Sequence, residues 1–371
     1  MKRLLAVIAG ALALAPLAAG AAPRPDARAW LVVNAVDGEV LAAHAATARV
    51  PIASITKLMT VLVTLDHAKL DDVVTVSPRT SRVGESTVNL RAGERIAVRD
   101  LIEAALIQSA NDAANALAEH VGRGSVPRFV ALMNARARVL GLADTRFVNP
   151  SGLDAPGHYS TAQDVTKLAR VAMRKPFVRR TVRLRTESVA GRTLHTWNDL
   201  LGGFPGVFGV KTGHTAAAGW SQVAAARRPG ASVYATILGG PTRDRRNADL
   251  AALLAWGLSR YRVVEAIDDD RAYATATAGY GRAPVRLVAA SPLRRSVRVD
   301  RPLVERIVAP PAVSLPVERG QRLGVVQVYA RGKLLGERPL VAAESRTAPG
   351  LGGKIRWYAT RTVENAWGVI F

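Results

Sequence analysis

The chain has 371 residues, of which 49% are hydrophobic and 22% charged, and it contains no cysteine. This composition excludes an intrinsically disordered chain, a collagen and a disulfide scaffold. The formal net charge of +22 favours anionic surroundings such as nucleic acid, anionic lipid or acidic wall polymers. Only eight of the 51 basic residues are lysine, so a lysine inside a motif is more informative here than usual.

The N-terminal segment predicts export. Lys2 and Arg3 precede an apolar stretch over residues 4–19, which ends in small residues. This order is typical of a secretory signal peptide, and the stretch is short for a membrane span. We therefore expect residues 1–21 to be a signal peptide, with an uncleaved anchor as the alternative. The mature protein is then periplasmic or extracellular in the cell envelope, which argues against nucleic acid as its partner.

The next 240 residues have predicted strands at both ends and predicted helices between them. The strands are 29–34, 39–43, 207–212, 221–225 and 233–238, and the helices are 54–67, 98–108, 111–121, 125–140, 162–173 and 247–261. Because the terminal strands can share one sheet, this order predicts an α+β catalytic domain over residues 22–262 with a helical middle.

The composition changes after residue 262. Helical periodicity fades, and short β-like runs at 285–289, 323–329 and 334–340 alternate with proline and glycine clusters, which predicts a small all-β domain over residues 263–353. Residues 354–371 then place apolar and basic side chains at helical spacing. We expect an amphipathic tail there, either in contact with a membrane surface or packed on its own β domain.

Ser54-Ile55-Thr56-Lys57 carries the first chemical signal, at the start of a predicted helix. The i, i+3 spacing places Ser54 and Lys57 on one helix face, and free N–H groups at a helix start favour a developing oxyanion. A neutral lysine can accept the serine proton if burial or a second cation lowers its pKa. Taken alone, the pattern also fits a helix-capping serine and a surface lysine.

Two further motifs follow in order. Ser109-Ala110-Asn111 lies between two predicted helices and on its own also fits a capped turn. Lys211-Thr212-Gly213 ends a predicted strand. Lys211 supplies a second cation, the Thr212 hydroxyl can hold a carboxylate, and Gly213 lets a substrate backbone lie along the strand edge.

The combination of the three motifs is far more specific than its parts. Longer strings extend it, over residues 51–60, 109–114, 149–153, 159–162 and 209–215. With these strings the chain resembles the low-molecular-mass penicillin-binding proteins that are serine D-Ala-D-Ala carboxypeptidases. The match covers about residues 30–261 and implies a penicillin-recognising α+β catalytic domain. The β segment and tail resemble the C-terminal arrangement of that family more loosely.

The resemblance implies a role for each matched residue. Ser54 is the nucleophile that attacks the carbonyl of the penultimate D-Ala in a peptidoglycan stem peptide, and Lys57 is its general base. Ser109 and Asn111 complete the proton network and hold the substrate amide. Lys211 keeps Lys57 deprotonated and helps to hold the carboxylate.

The resemblance also implies how the developing charge and the substrate terminus are held. The backbone N–H groups of Ser54 and His214 form the oxyanion hole. Thr212, Thr215 and a later arginine bind the terminal carboxylate. Its offset from the Trp256 stretch places that arginine at Arg246, with Arg243 and Arg245 as close alternatives. Without the resemblance, each of the three would be interpreted as a solvent-exposed residue at a helix start.

Other functions are weighed against this one. Class A β-lactamases of this fold use a glutamate for deacylation, but residues 140–163 contain only Asp144 and Asp154 as carboxylates. We therefore expect β-lactams to acylate Ser54 and to leave slowly, as inhibitors. An endopeptidase or esterase and a catalytically dead wall-binding module are the alternatives. The six histidines show no metal-ligand spacing, so we expect no metal and no cofactor.

Overall fold

The computed structural model describes residues 6–12 and 20–370, with side chains for residues 20–362. By internal contacts the chain divides into two compact units, one of residues Ala21–Ser259 and one of Arg260–Phe371 with Met1–Gly20. The predicted signal peptide lies largely outside the described residues, at 1–5 and 13–19. Its described part forms strand β1 (Ala6–Leu12). The predicted domain boundary after residue 262 falls three residues later than the division.

The first unit alternates strands and helices. Its strands are β2 (Ala29–Asn34), β3 (Val40–His44), β4 (Val73–Thr75), β5 (Arg95–Ala97), β6 (Thr186–Val189), β7 (Arg192–His195), β8 (Val207–Thr215), β9 (Gly219–Arg228) and β10 (Ala231–Gly240). Its helices are α1 (Lys57–His67), α2 (Val98–Ile107), α3 (Asn111–Val121), α4 (Val126–Val139), α5 (Ala162–Ala172), α6 (Pro176–Thr181), the short turn α7 (Leu200–Gly203) and α8 (Arg243–Ser259). Two 3₁₀ turns lie at Ala53–Thr56 and Thr80–Arg82.

A five-stranded antiparallel sheet joins the two ends of this unit, in the order β3-β2-β10-β9-β8. The predicted sharing of one sheet by the terminal strands is therefore confirmed. Strands β9 and β10 are buried over six consecutive residues each because α8 packs on one face of the sheet and α5 on the other.

Helix α1 lies at the centre of the helical layer and contacts α2, α3, α4 and α5. All of its residues from Lys57 to Thr64 are buried, which is the pattern of a helix enclosed on every side. The 3₁₀ turn before it packs against β8. The start of the central helix is thereby held against the edge strand of the sheet, where a substrate backbone can pair.

Some element bounds differ from the sequence predictions. The hairpins β4–β5 and β6–β7 are not predicted, because strands of three or four residues carry too little alternation. Helix α8 begins at Arg243 and not at residue 247, since the Thr242 hydroxyl accepts a hydrogen bond from the Arg245 N–H at 3.1 Å. The predicted strand at 207–212 extends to Thr215.

The second unit is rich in β-structure, as predicted. It contains β11 (Tyr261–Ile267), β12 (Ala272–Ala278), β13 (Val285–Ala289), β14 (Leu293–Arg298), β15 (Leu303–Ala309), β16 (Ala312–Val313), β17 (Arg322–Ala330), β18 (Lys333–Ala342) and helix α9 (Leu351–Ile370). A seven-stranded sheet has the order β1-β15-β17-β18-β13-β12-β16, and β11 pairs with β14. A separate apolar core within this unit includes Leu287, Leu293 and Val326.

Helix α9 starts three residues before the predicted tail. Its Trp357 and Tyr358 rings make edge contacts with the ring of Tyr280, with centroids 5.5 and 6.2 Å apart. The side chains of Leu351 and Ile355 are exposed. Within the described residues, no helix is both long enough and apolar enough to cross a bilayer.

Candidate active site

Ser54 lies on the 3₁₀ turn that leads into α1. The residue before it, Ala53, has a φ of +47°, a left-handed conformation that is uncommon outside glycine. Lys57 Nζ lies 2.7 Å from Ser54 Oγ. The i, i+3 spacing therefore brings the predicted nucleophile and base into direct contact.

Lys57 is fully buried, and its amine has three oxygen neighbours. Besides Ser54, they are Asn111 Oδ1 at 2.7 Å and the Ser151 carbonyl at 2.9 Å. Burial lowers the pKa of Lys57 well below its usual range, and the nearby charge of Lys211 lowers it further. A neutral amine donates its two hydrogens to the Asn111 and Ser151 oxygens and turns its lone pair to the Ser54 hydroxyl, which is the geometry of a general base.

The Ser109 and Lys211 motifs are in direct contact with each other. Lys211 Nζ donates to Ser109 Oγ and to the Thr212 carbonyl, both at 2.9 Å. Burial lowers the pKa of Lys211 to about 7, with a contribution from the charge of Arg246. Ser109 has a φ of +64°, and strained backbone of this kind clusters at functional sites. The five predicted catalytic residues thus form two hydrogen-bonded groups, Ser54, Lys57 and Asn111 in one and Ser109 and Lys211 in the other.

A cleft of about 250 Å³ opens onto this network. It is lined by Ser54, Glu85, Ser86, Ser109, Trp197, Thr212, Gly213, His214, Trp220, Arg243 and Arg246. Strand β8 lies so close to the nucleophile that a Cβ on Gly213 would stand 3.0 Å from Ser54 N. The backbone of His214 follows directly, so the two predicted oxyanion-hole amides belong to adjoining segments. The His214 ring itself stacks on Trp220, with centroids 4.0 Å apart.

Of the three candidate arginines, Arg246 is the buried one. It lines the cleft, is 2% exposed and has Asp199 Oδ2 at 3.6 Å. Arg243 also lines the cleft, but it forms a bidentate pair with Asp199, at 2.8 and 2.5 Å. Arg245 pairs with Asp249 at 3.0 Å and is half exposed. Arg246 also donates to Asn247 Oδ1 at 2.6 Å, and its contact with a substrate carboxylate stays a prediction.

Thr215 is placed differently from its predicted role. Its hydroxyl donates to Asp154 Oδ1 at 2.6 Å and accepts from the Ala218 N–H at 3.1 Å. Asp154 also accepts from the Ala217 N–H at 3.0 Å, so it ties the end of β8 to the loop that follows residue 149. The single hydroxyl hydrogen is committed to Asp154, and direct contact between Thr215 and a substrate carboxylate stays a prediction.

Sequence reasoning missed His158, which contacts the turn that carries Ser54. His158 Nε2 lies 2.8 Å from Thr56 Oγ1, and its Nδ1 accepts from the Val148 N–H at 3.2 Å. Because Nδ1 must be an acceptor there, the ring is neutral with its hydrogen on Nε2. His158 lies five residues after the matched string 149–153. Its closeness to that string in the sequence was the one indication that it could lie near the site.

Buried His158 predicts acid sensitivity of the fold. Burial lowers its pKa from 6.5 to about 4, so the unfolded chain binds more protons than the folded chain between these values. The resulting stability is complete above pH 6.5 and is lost as the pH falls through 4, by about 3 kcal/mol in total. Urea unfolding of wild type and His158→Gln at pH 7, 5 and 4 measures this, because the variant lacks the ionisable ring. Equal losses of stability in the two proteins would contradict the assignment.

A buried lysine amine with a lowered pKa, 2.7 Å from a serine hydroxyl and near a second buried lysine, is an arrangement that can support serine acyl transfer. The family model for D-alanyl-D-alanine carboxypeptidase, peptidase family S11, matches residues 17–242. D-alanyl-D-alanine carboxypeptidase DacC of Escherichia coli is 32% identical over 362 residues, covering 90% of this chain and 88% of that protein. The chain therefore belongs to the D-alanyl-D-alanine carboxypeptidase family.

Solved structures agree with this membership. Penicillin binding protein 5 from Haemophilus influenzae is similar with a TM-score of 0.63 and 25% identity, covering 89% of this chain and all of that one. DacD from Francisella tularensis is similar with a TM-score of 0.64 at 24% identity, covering 89% and 95% of the two chains, and supports the fold. The penicillin-recognising α+β fold with a C-terminal β-rich region is thereby confirmed.

Proposed function

We propose that this protein is an exported, penicillin-sensitive serine carboxypeptidase that removes the terminal D-Ala from peptidoglycan stem peptides. One observation carries the proposal: the amine of Lys57 is buried, its pKa is lowered well below the usual range by that burial, and it lies 2.7 Å from Ser54 Oγ. A dead wall-binding module has no need of such an amine, since burying it costs stability. Membership of the family supports the choice of substrate.

Acylation uses the network in a fixed order. Ser54 Oγ bonds to the carbonyl carbon of the penultimate D-Ala while its proton passes to Lys57 Nζ. The oxyanion is held by the backbone N–H groups of Ser54 and His214, which a low-dielectric cleft makes effective. The C–N bond then breaks, and the leaving D-Ala amine takes the proton from Lys57. Water hydrolyses the ester with Lys57 again as the base.

Substrate polarity follows from the charges around the nucleophile. Thr212 and Arg246 line the cleft, and the buried Lys211 amine donates to the Thr212 carbonyl; the terminal carboxylate of the peptide binds to Arg246 and the Thr212 hydroxyl here. Asn111, next to Lys57, holds the amide on the acyl side of the scissile bond. The leaving D-Ala therefore lies toward Arg246 and the remaining peptide toward Asn111.

Slow loss of bound penicillin is part of the proposal. Class A β-lactamases of this fold activate the deacylating water with a glutamate that follows the helical middle. The two carboxylates between residues 140 and 163 are engaged elsewhere: Asp144 pairs with Arg49 at 2.8 Å, and Asp154 pairs with Thr215. Their engagement favours the carboxypeptidase over the β-lactamase alternative.

The proposed place of action is the cell envelope after export. Helix α9 supports contact with an anionic surface, because Leu351, Ile355 and Tyr358 are 82%, 64% and 58% exposed and Lys354 lies on the same helix. A liposome flotation assay on the full chain with and without anionic lipid tests this contact. Equal recovery with neutral and anionic vesicles would contradict it.

D-Ala release from Nα,Nε-diacetyl-L-Lys-D-Ala-D-Ala tests the proposed reaction. We expect wild type to release one D-Ala per peptide, and Ser54→Ala to release none above background, because no other hydroxyl is 2.7 Å from the Lys57 amine among the described residues. The same peptide ending in L-Ala is the substrate control. Turnover by Ser54→Ala, or none by wild type, contradicts the proposal.

A further inference from the structure

One carboxylate in the cleft has no part in the proposed reaction. Glu85 lines the cleft together with Ser54, and it is the one acidic residue among the described side chains that do so. The other charged residues that line the cleft are Arg243 and Arg246. Within the described part of the chain, no hydrogen bond or ion pair engages the Glu85 carboxylate. An exposed negative charge is thus presented inside a cationic cleft.

The loop that carries Glu85 is held against the catalytic residues. The Gly84 carbonyl accepts from Asn111 Nδ2 at 3.2 Å, and the Ser86 carbonyl accepts from the Asn111 N–H at 2.6 Å. The Ser86 hydroxyl donates to the Gln108 carbonyl at 2.9 Å. Glu85 is therefore fixed on both sides by bonds to the segment that also positions Lys57, and its place beside Asn111 is well defined.

The backbone at Glu85 is strained. Its φ is +65°, in the left-handed region that costs a residue with a side chain on the order of 1 kcal/mol or more. Glycine occupies this conformation without that cost, so the position has no structural need for glutamate. The negative charge also raises the pKa of Lys57, which works against a neutral base. A ligand contact would account for a carboxylate kept here against both effects.

The polarity of the substrate indicates which part of it meets Glu85. The terminal carboxylate lies toward Arg246, and the acyl side of the peptide passes Asn111, which is bonded to the residues on either side of Glu85. The proposed binding direction puts the residue before the D-Ala pair on this side of the cleft. We propose that Glu85 is a specificity residue that selects substrates with a side-chain ammonium on the residue preceding the D-Ala pair.

This inference rests on the proposed function, and two peptides that differ by one acetyl group test it. The probes are Nα-acetyl-L-Lys-D-Ala-D-Ala with a free and with an acetylated ε-amine. We expect wild type to prefer the free amine in kcat/KM by about 1.5- to fivefold at low salt, which corresponds to the range for a solvent-exposed ion pair. The preference should shrink at high salt and disappear in Glu85→Gln.

The ratio of the two substrates cancels any general effect of the variant on Lys57, because both peptides use the same base. Glu187→Gln on β6, which removes an equal charge outside the cleft lining, should keep the wild-type ratio. Equal kcat/KM for the two peptides in wild type, or a preference that persists in Glu85→Gln, overturns this inference alone. Release of D-Ala from neither peptide overturns the proposed function and this inference with it.

Discussion

Replacing Lys57 by methionine is expected to slow the acylation of Ser54 by about 10³-fold, because general-base catalysis contributes on this scale. Methionine keeps the length and apolar character of the buried stem but cannot accept the serine proton. Its thioether also leaves Asn111 Oδ1 and the Ser151 carbonyl without the donor that they have now. Stopped-flow measurement of penicillin acylation, with the thermal midpoint recorded in parallel, gives both quantities.

Lys69→Met is the matched control for this variant. Lys69 is exposed just after the end of α1, so the substitution makes the same chemical change outside the site. We expect its acylation rate to equal that of wild type. Acylation of a folded Lys57→Met protein within about tenfold of wild type would show that another group takes the proton, since the loss of a general base typically exceeds that factor.

Gly152→Ala is expected to disrupt the nucleophile turn. Gly152 has a φ of +88°, and a Cβ there would lie 1.9 Å from the Ala53 carbonyl oxygen and 2.9 Å from Thr56 Oγ1. Both contacts involve the turn that carries Ser54, so either the turn or the loop after Asn149 must move. A displacement of about 1 Å at a catalytic group costs about 10²-fold in rate. We expect that loss in penicillin acylation, together with a lower thermal midpoint.

Gly191→Ala separates backbone strain from steric clash. Gly191 has a φ of +74°, close to that of Gly152, but nothing lies within 4 Å of a Cβ placed there. It should lose about 1 kcal/mol of stability from the left-handed conformation and retain wild-type acylation. If the two alanine variants are acylated at the same rate, the close packing of Gly152 on the turn that carries Ser54 does not affect acylation.

The proximity of the candidate site residues was predictable because they stand in short motifs with a chemical reason for each spacing; their catalytic roles stay predictions. Ser54 and Lys57 are one helical turn apart, and Lys211 lies within a long strand of recognisable pattern. The order of strands and helices predicted the shared sheet for the same reason: long, buried elements have strong periodicity. Helix α1 and strands β9 and β10 are such elements.

The parts that sequence reasoning missed depend on contacts between distant segments. Asp154 meets Thr215 across 61 residues, and Thr56 meets His158 across 102 residues. Neither pairing has a local pattern, because a single hydrogen bond can be made from any loop that tertiary packing brings near. Glu85 was missed for a related reason: its loop is held by Asn111, and only the folded chain shows that it borders the cleft.

The central claim is that Ser54 is an activated nucleophile whose penicilloyl ester persists. Intact mass of the mature protein after incubation with a penicillin, beside Ser54→Ala, tests it most directly. We expect one stable penicillin adduct on wild type and none on the variant. Rapid loss of the drug without an adduct would indicate a β-lactamase, and intact drug without an adduct would contradict the acyl-enzyme account as a whole.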